Sequence, residues 1–390
     1  MYDEPGLIGE ITKVLSSRGP CRGPAAAALF RMSRDIYVKE QMATNANLVK
    51  AMAKLLKDEP GTLHANQLLL CLQNVSFPGS TRLNLVNTAN SAILDALAHV
   101  VSRPSDSAHK NPRNTAMAVM TNMSITVECK LALFNYKSSI ICEHMIDIIE
   151  AGDEDENNVV AREKALTLCK NLANHPETKL PMYNFPRLIP ALLKVINQES
   201  PKSKTHKEVA LQVFQNLANN DKTPLMLLGY DGVFKAIVKV VSSDASDDTL
   251  TARTNAWLIL QNISFITECR EPLFRVQGCF DAINGVLDNK EDKVKKNALP
   301  VLLNIRYEGA STRYRRPRSM LTPAVAVAFS LQSRHQHQEG DVRPLDLHHL
   351  PHFHRQEGRG LTPRKSAFCS PKHCKPRLDQ DAHVQVSRAA

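Results

Sequence analysis

Asparagine returns in phase along this chain, at Asn74, Asn122, Asn171, Asn216, Asn262 and Asn304, with intervals of 48, 49, 45, 46 and 42 residues. An aliphatic residue or methionine follows each one: Val75, Met123, Leu172, Leu217, Ile263 and Ile305. Two and three positions earlier stand Leu72/Cys71, Met120/Val119, Cys169/Leu168, Phe214/Val213, Leu260/Ile259 and Leu302/Val301. Five earlier are Leu69, Met117, Leu166, Leu211, Trp257 and Leu299. Six earlier come Leu68, Ala116, Ala165, Ala210, Ala256 and Ala298. Such spacing puts the apolar columns on one side of a helix. Within residues 208–220, for example, Val209, Leu211, Val213, Phe214 and Leu217 pack, while Glu208, Gln212, Gln215, Asn216 and Asn219 form a polar stripe.

A packing unit that repeats at this period calls for a helical solenoid. The small column lets a neighbouring helix approach closely, and the large columns fill the space between units. Composition agrees: 43% of residues are hydrophobic but only 5% aromatic, which suits helix-on-helix packing by aliphatic side chains. Charge is unevenly divided. Of the net +10, residues 313–390 carry +8, from 14 Lys+Arg and 6 Asp+Glu, so the repeat region is close to neutral. Residues 1–4 are not a leader pattern, and no apolar run reaches the ~18 residues needed to cross a bilayer. The nine cysteines are odd in number, and Cys71 and Cys169 sit in core columns. That usage reads as reduced thiols in a cytoplasmic protein, with the nucleus as a second compartment.

Three segments make up each unit. A short one such as 81–87 or 222–228 comes first. A longer amphipathic helix follows at 48–56, 93–101, 141–149, 188–196, 233–241 and 280–287, and the Asn-bearing helix closes the unit. Residues 7–15 read as a helix, 18–24 as a loop, and 25–33 as a degenerate copy with Arg31 in the Asn column. The acidic 153–156, the basic 201–207 and the Ser/Asp run 242–248 read as solvated loops. After Arg306 the helical pattern stops, and the Arg-, His- and Pro-rich remainder is expected to be disordered.

These residues resemble the armadillo repeat. LCKNLA, VFQNLA and ILQNIS, ending in Ala173, Ala218 and Ser264, follow that family's third-helix pattern, and six copies lie in phase. HEAT repeats are two-helix units without this Asn column. The resemblance implies an all-α, right-handed superhelical solenoid over residues 1–308, with about six repeats after a degenerate first copy and a disordered tail over 309–390. It implies a concave groove lined by the third helices. There the Asn side chains hold the backbone of an extended peptide from a protein partner.

A carboxamide suits that task, because it carries both an acceptor and donors. The expected peptide-binding set is Asn74, Asn122, Asn171, Asn216 and Asn262 with Gln73, Thr121, Lys170, Gln215, Gln261 and Gln212. Asn304 is set apart, because Pro300 and Leu303 interrupt its stripe. Five or six hydrogen bonds of about 0.5–1.5 kcal/mol each, less the ordering of the peptide, give an affinity on the order of micromolar. The alternative is that each Asn caps its helix or braces a neighbouring repeat. Buried Asn171 and Asn216 would exclude the ladder.

The position four before the Asn reads Leu70, Ala118, Thr167, Gln212, Leu258 and Pro300, without the Trp column of importin-α. The groove also lacks the basic character of β-catenin. No phosphate loop, nucleophile elbow or zinc-protease motif is present, so no enzyme, cofactor or metal is expected. Glu143 and His144 beside Cys142 have no orienting acid. His352, His354, Cys369, His373 and Cys374 match no compact zinc spacing. Arg313, Arg315, Arg316 and Arg318 restrict nucleic-acid contact to the tail. The expectation is a monomeric protein-interaction scaffold that does not enter a membrane. A regulatory subunit using its loops or convex face is the alternative, or a nucleic-acid or nuclear-transport adaptor using the tail.

Overall fold

The computed structural model describes residues 6–103, 110–152, 158–199, 203–288 and 293–309. The acidic 153–156, residues 201 and 202, the His/Cys cluster and the tail from residue 310 onward lie outside these described residues. Among the described residues there are twenty helices and no strand.

The array opens with α1 (Leu7–Ser16) and α2 (Arg22–Met32). Six three-helix units follow. They are α3 (Ile36–Thr44), α4 (Ala46–Asp58) and α5 (Leu63–Val75); then α6 (Gly79–Asn87), α7 (Ala92–Val101) and α8 (Lys110–Met123). Next come α9 (Val127–Asn135), α10 (Ile140–Glu150) and α11 (Val159–Ala173), then α12 (Pro176–Tyr183), α13 (Leu188–Asn197) and α14 (Lys204–Leu217). The last two are α15 (Thr223–Gly229), α16 (Val233–Val241) and α17 (Asp247–Phe265), then α18 (Thr267–Arg275), α19 (Cys279–Asp288) and α20 (Lys295–Gly309). One boundary departs from the sequence expectation. The 18–24 loop yields to α2 at Arg22, because Gly23 and Pro24 fall in the first turn, where proline's missing N–H needs no intrahelical partner.

Like packs on like. Third helices stack in the order α2, α5, α8, α11, α14, α17, α20, and second and first helices form their own layers beside them. From α7 onward the third helices share more extensive contact with one another than the first or second helices do. The cause lies in the small column: Ala116, Ala165, Ala210, Ala256 and Ala298 are all at 0% exposure. The Asn-minus-five column is fully buried from Leu69 to Trp257. Its last member, Leu299, is 38% exposed, because no further third helix among the described residues covers it.

Turn chemistry explains part of the uneven intervals. Between α15 and α16, and between α18 and α19, the chain reverses on a single left-handed glycine, Gly232 (φ 82°) and Gly278 (φ 80°). At Gly278 the positive φ favours glycine, and a Cβ would come within 3.3 Å of Val238 Cγ1, a tight approach that Val238 would have to relieve. In the two units with the longest intervals, three successive non-glycine residues take positive φ instead: Ala89, Asn90 and Ser91, and Lys137, Ser138 and Ser139. Each of these turns adds one residue, 18 rather than 17 from the Asn to the start of the second helix, and the longer connections before α8 and α11 supply the rest of the extra length.

Ion pairs cross from unit to unit. Arg22 meets Glu59 at 2.6 Å, Lys204 meets Asp248 at 2.9 Å, and Lys293 meets Asp247 at 2.6 Å. Asp95 on α7 joins three units, since it accepts from Lys137 and, at 2.6 Å, from Lys57. Hydrogen bonding by Lys137, then by Lys57, pulls the Asp95 carboxyl down to about 2. Burial pushes the thiols of Cys71, Cys142 and Cys279 up to about 12, and none of the seven described cysteines is in a disulfide.

Two outcomes are expected. A depressed carboxyl contributes stability that is complete above its unfolded pKa of about 4 and is lost as pH falls toward 2. Thermal midpoints measured across that window should therefore fall less steeply in Asp95→Asn than in the unaltered chain; identical slopes would exclude Asp95 as a source of the acid sensitivity. In native thiol alkylation, Cys21, which is exposed, should react first among the described cysteines, and the six buried ones only on unfolding.

Candidate functional site

Helices α5, α8, α11, α14 and α17 carry their Asn in the last turn, where the backbone carbonyls have no intrahelical partner, and Asn304 lies five residues before the end of α20. The stacked neighbour meets that need. Asn216 Nδ2 donates to the Lys170 carbonyl at 2.9 Å, and Asn262 Nδ2 donates to the Gln215 carbonyl at 3.2 Å. Asn74 donates to Ser33 Oγ at 3.0 Å, Asn171 to Ser124 Oγ at 2.9 Å and Asn304 to Ser264 Oγ at 3.0 Å. Asn122 reaches both kinds of partner, Ser76 Oγ at 3.2 Å and the Gln73 carbonyl at 3.4 Å. All six tie one repeat to the end of the one before it.

The two partner types follow from one column. Two residues after the Asn position stand Ser33, Ser76, Ser124 and Ser264, or else Ala173 and Ala218. Where it is Ser, the hydroxyl donates back to a carbonyl three residues earlier (Phe30, Gln73, Thr121 or Gln261), so its oxygen is left to accept from the next Asn. Where it is Ala, the Asn reaches the carbonyl directly. A carbonyl only accepts, and a hydroxyl whose proton is committed only accepts, so both arrangements fix the amide nitrogen toward the preceding repeat. The amide oxygen therefore faces away from it.

The bracing alternative is thus what the described residues display, and it leaves capacity over. Nδ2 carries two hydrogens. Except at Asn122, one hydrogen bond occupies one of them, and Oδ1 has no partner among the described residues. Asn74, Asn122, Asn171, Asn216 and Asn262 are half-buried, neither sealed off nor fully exposed. Gln73, Thr121, Lys170, Gln212, Gln215 and Gln261 are half-buried alongside them. The Thr121 hydroxyl is engaged with the Met117 and Lys164 carbonyls, so of this set it has the least to offer a ligand. The side chains of Gln212, Gln215 and Gln261 have no hydrogen bond among the described residues.

Three columns that support the site escape a reading centred on Asn. Nine positions before it, Arg113, Arg162 and Arg253 are buried at the start of their third helices. Arg162 Nε holds the Ile149 carbonyl at 3.0 Å and its Nη1 holds Gln198 at 2.9 Å; Arg253 Nε reaches the Val241 carbonyl at 3.4 Å. A cation at the carbonyl end of the second helix opposes the helix dipole there. Seven positions after Asn, Thr81, Thr178 and Thr223 donate to the carbonyls of Val75, Leu172 and Leu217, closing the third helix against the next first helix. The recurrence of Arg or Lys at the first of these columns and of Thr at the second is the signal that could have found them.

The third column is apolar and exposed. Leu63 (75%), Leu70 (37%) and, just past the helix end, Phe77 (71%) lie seven apart along α5, a spacing that returns nearly to the same side of a helix. The corresponding residues after α8 and at the end of α17, Ile125 and Phe265, are 55% and 69% exposed, whereas those of α11 and α14 are Asn174 and Asn219. This face of the third-helix layer is therefore polar only in its middle. In that middle, Glu163 and Lys164 pair at 3.1 Å, and burial raises the Glu208 carboxyl above its ordinary range.

Solved structures share this fold. Computationally designed armadillo repeat proteins for modular peptide recognition match with 20% identity and a TM-score of 0.51, over 66% of this chain and 99% of theirs. A designed armadillo repeat protein in complex with the peptide (KR)4 matches with 18% identity and a TM-score of 0.52, over 66% and 99%. No protein-family profile and no curated protein matches the chain. The fold is the armadillo-type helical solenoid.

Unfolding measurements should separate brace from relay. Asn216→Ala strips the Lys170 carbonyl of its partner and should cost about 1 kcal/mol. Ser124→Ala should be nearly neutral, because Asn171 can then bond as Asn216 does. A double-mutant cycle between Asn171 and Ser124 with a coupling well below that cost would fit this; a large coupling would mean that the direct bond cannot form at that joint.

Proposed function

We propose that the chain is a protein-interaction scaffold that binds an extended segment of a partner protein along the third-helix layer. The observation that carries this reading is the row of half-buried carboxamides, Asn74, Asn122, Asn171, Asn216 and Asn262, whose oxygens have no partner among the described residues. Each oxygen accepts a peptide N–H regardless of the side chain that follows it, and, except at Asn122, the spare Nδ2 hydrogen serves a peptide carbonyl. The designed armadillo protein solved with the peptide (KR)4 supports the reading by analogy of fold.

The surrounding columns describe the occupant. Leu63, Leu70, Phe77 and Ile125 favour apolar side chains at the α5–α8 end, and Phe265 favours another near α17. Gln212, Gln215, Asn219 and Lys170 favour polar ones between them. An acidic stretch has no basic trough to enter, and an arginine-rich one has no acidic row.

The test must leave the brace intact. Unstructured peptides selected from a displayed random library against the full chain are measured for binding to the unaltered protein and to a Gln212→Arg/Gln215→Arg variant. Both side chains are free of repeat-to-repeat hydrogen bonds, so the variant should keep its thermal midpoint while affinity falls at least tenfold. Phe77→Ser should weaken the same peptides by a similar factor. Undiminished binding by both variants, or a selection that yields no binder, overturns the groove reading.

A further inference from the structure

Eight positions after the Asn column, the first helices carry a row of cations: Lys39, Arg82, Lys130, Lys179 and, beyond Pro224, Arg270. Three of them hold the ends of third helices. Arg82 donates to the Ser76 carbonyl at 3.1 Å and the Phe77 carbonyl at 2.6 Å, and reaches Thr126 Oγ1 in the next unit at 3.4 Å. Arg270 donates to the Ser264 and Phe265 carbonyls at 2.9 and 3.1 Å. Lys179 donates forward to the Asn219 carbonyl at 2.5 Å.

Lys130 differs. It is only 8% exposed, yet its ammonium has no hydrogen-bond or ion-pair partner among the described residues. The residue ahead of it supplies the reason. α12 packs on α9 as α9 packs on α6, so His175 stands to Lys130 in the repeat as Thr126 stands to Arg82. Thr126 offers an acceptor oxygen. His175 offers none, because its Nδ1 accepts the Glu177 N–H at 3.2 Å, which leaves the ring proton on Nε2. His175 is 7% exposed, and Nε2 has no partner among the described residues. Two donors, each more than nine-tenths buried, thus share one joint without an acceptor. Glu128 and Glu177, exposed on the same helices, pair with neither. Burial lowers the Lys130 amine from its ordinary value, a cost that a bound anion would offset.

We propose that Lys130 and His175 receive the carboxylate of one Asp or Glu side chain in the bound segment, beside an apolar side chain seated on Ile125 and Val127. The proposal rests on the groove reading above and gives its occupant a chemical signature. Ile125 and Val127 are each 55% exposed, whereas Asn174 follows on α11, so the joint lies where the apolar flank gives way to the polar middle. One ammonium and one imidazole N–H match the two oxygens of a carboxylate. A phosphate would find no free guanidinium fork, since Arg82 is committed to carbonyls. Third helices continue on both sides of the joint, which favours a side chain within the segment over a chain terminus.

A synthetic library of short peptides, acetylated and amidated so that only side chains carry charge, is screened for binding to the full chain. Binders should carry Asp or Glu at a fixed offset from an aliphatic residue. Exchanging that acid for Asn or Gln should weaken binding about tenfold on the unaltered protein, and hardly at all on Lys130→Met. Lys130→Met keeps the buried stem, so its thermal midpoint should not fall. His175→Asp keeps an acceptor for the Glu177 N–H but pairs with Lys130 itself, and should reject the acidic peptide while binding the neutral one. Equal losses on the unaltered chain and Lys130→Met, in peptides that Gln212→Arg/Gln215→Arg still repels, overturn this site and leave the groove reading intact. The absence of any binder overturns both. A midpoint lowered by Lys130→Met overturns the site in favour of a structural ammonium, and tighter binding of a phosphoserine peptide overturns it in favour of phosphate.

Discussion

The hydrogen bond from each third-helix Asn to the end of the preceding third helix is the contact on which the array depends. A solenoid has no single core to enforce its geometry; each unit knows only its neighbours. Apolar packing brings the third helices together but is non-directional. The Asn bond adds direction, because it forms only when one helix end lies in register with the next. The alanine column makes the approach close enough for a short side chain to reach. Packing and register thus arise from the same thirteen or so residues, six times over.

The joints are not identical. Four of the six contain a serine hydroxyl, as sole partner or beside a carbonyl, and two contain none, which sorts them along the array. At the serine joints a hydroxyl stands between the amide and the end of the preceding helix, whereas at the other two the amide meets the carbonyl directly. The direct joints, α11 to α14 and α14 to α17, coincide with the polar middle of the groove. The serine joints coincide with its apolar flanks.

How much of this could be read from the chain depends on the range of the interaction. The apolar columns, the three-segment unit and most helix limits follow from local periodicity, as with α16, whose range coincides with the expected 233–241. The partner of each Asn amide does not, because it lies 40 or more residues away and turns on whether the residue two positions past the preceding column position is Ser or Ala. Nothing in the local pattern sets Arg162 apart, yet it is fully buried against the end of α10. The two left-handed tripeptide turns contain no glycine to announce them. Phe77 and Phe265 lie just past or at the helix ends, so columns counted within the helix passed over them.

The free amide oxygens lie on the same groups whose nitrogens hold the repeats together, and amide resonance links the two ends. A hydrogen bond accepted at Oδ1 draws electron density toward oxygen and makes the N–H a better donor, so each bond strengthens the other. A peptide laid along the row would tighten the joints beneath it, and a tensile load that opened the joints would weaken the hold on the peptide. A scaffold built this way couples its elasticity to its occupancy, with no moving part other than the spacing between adjacent helices.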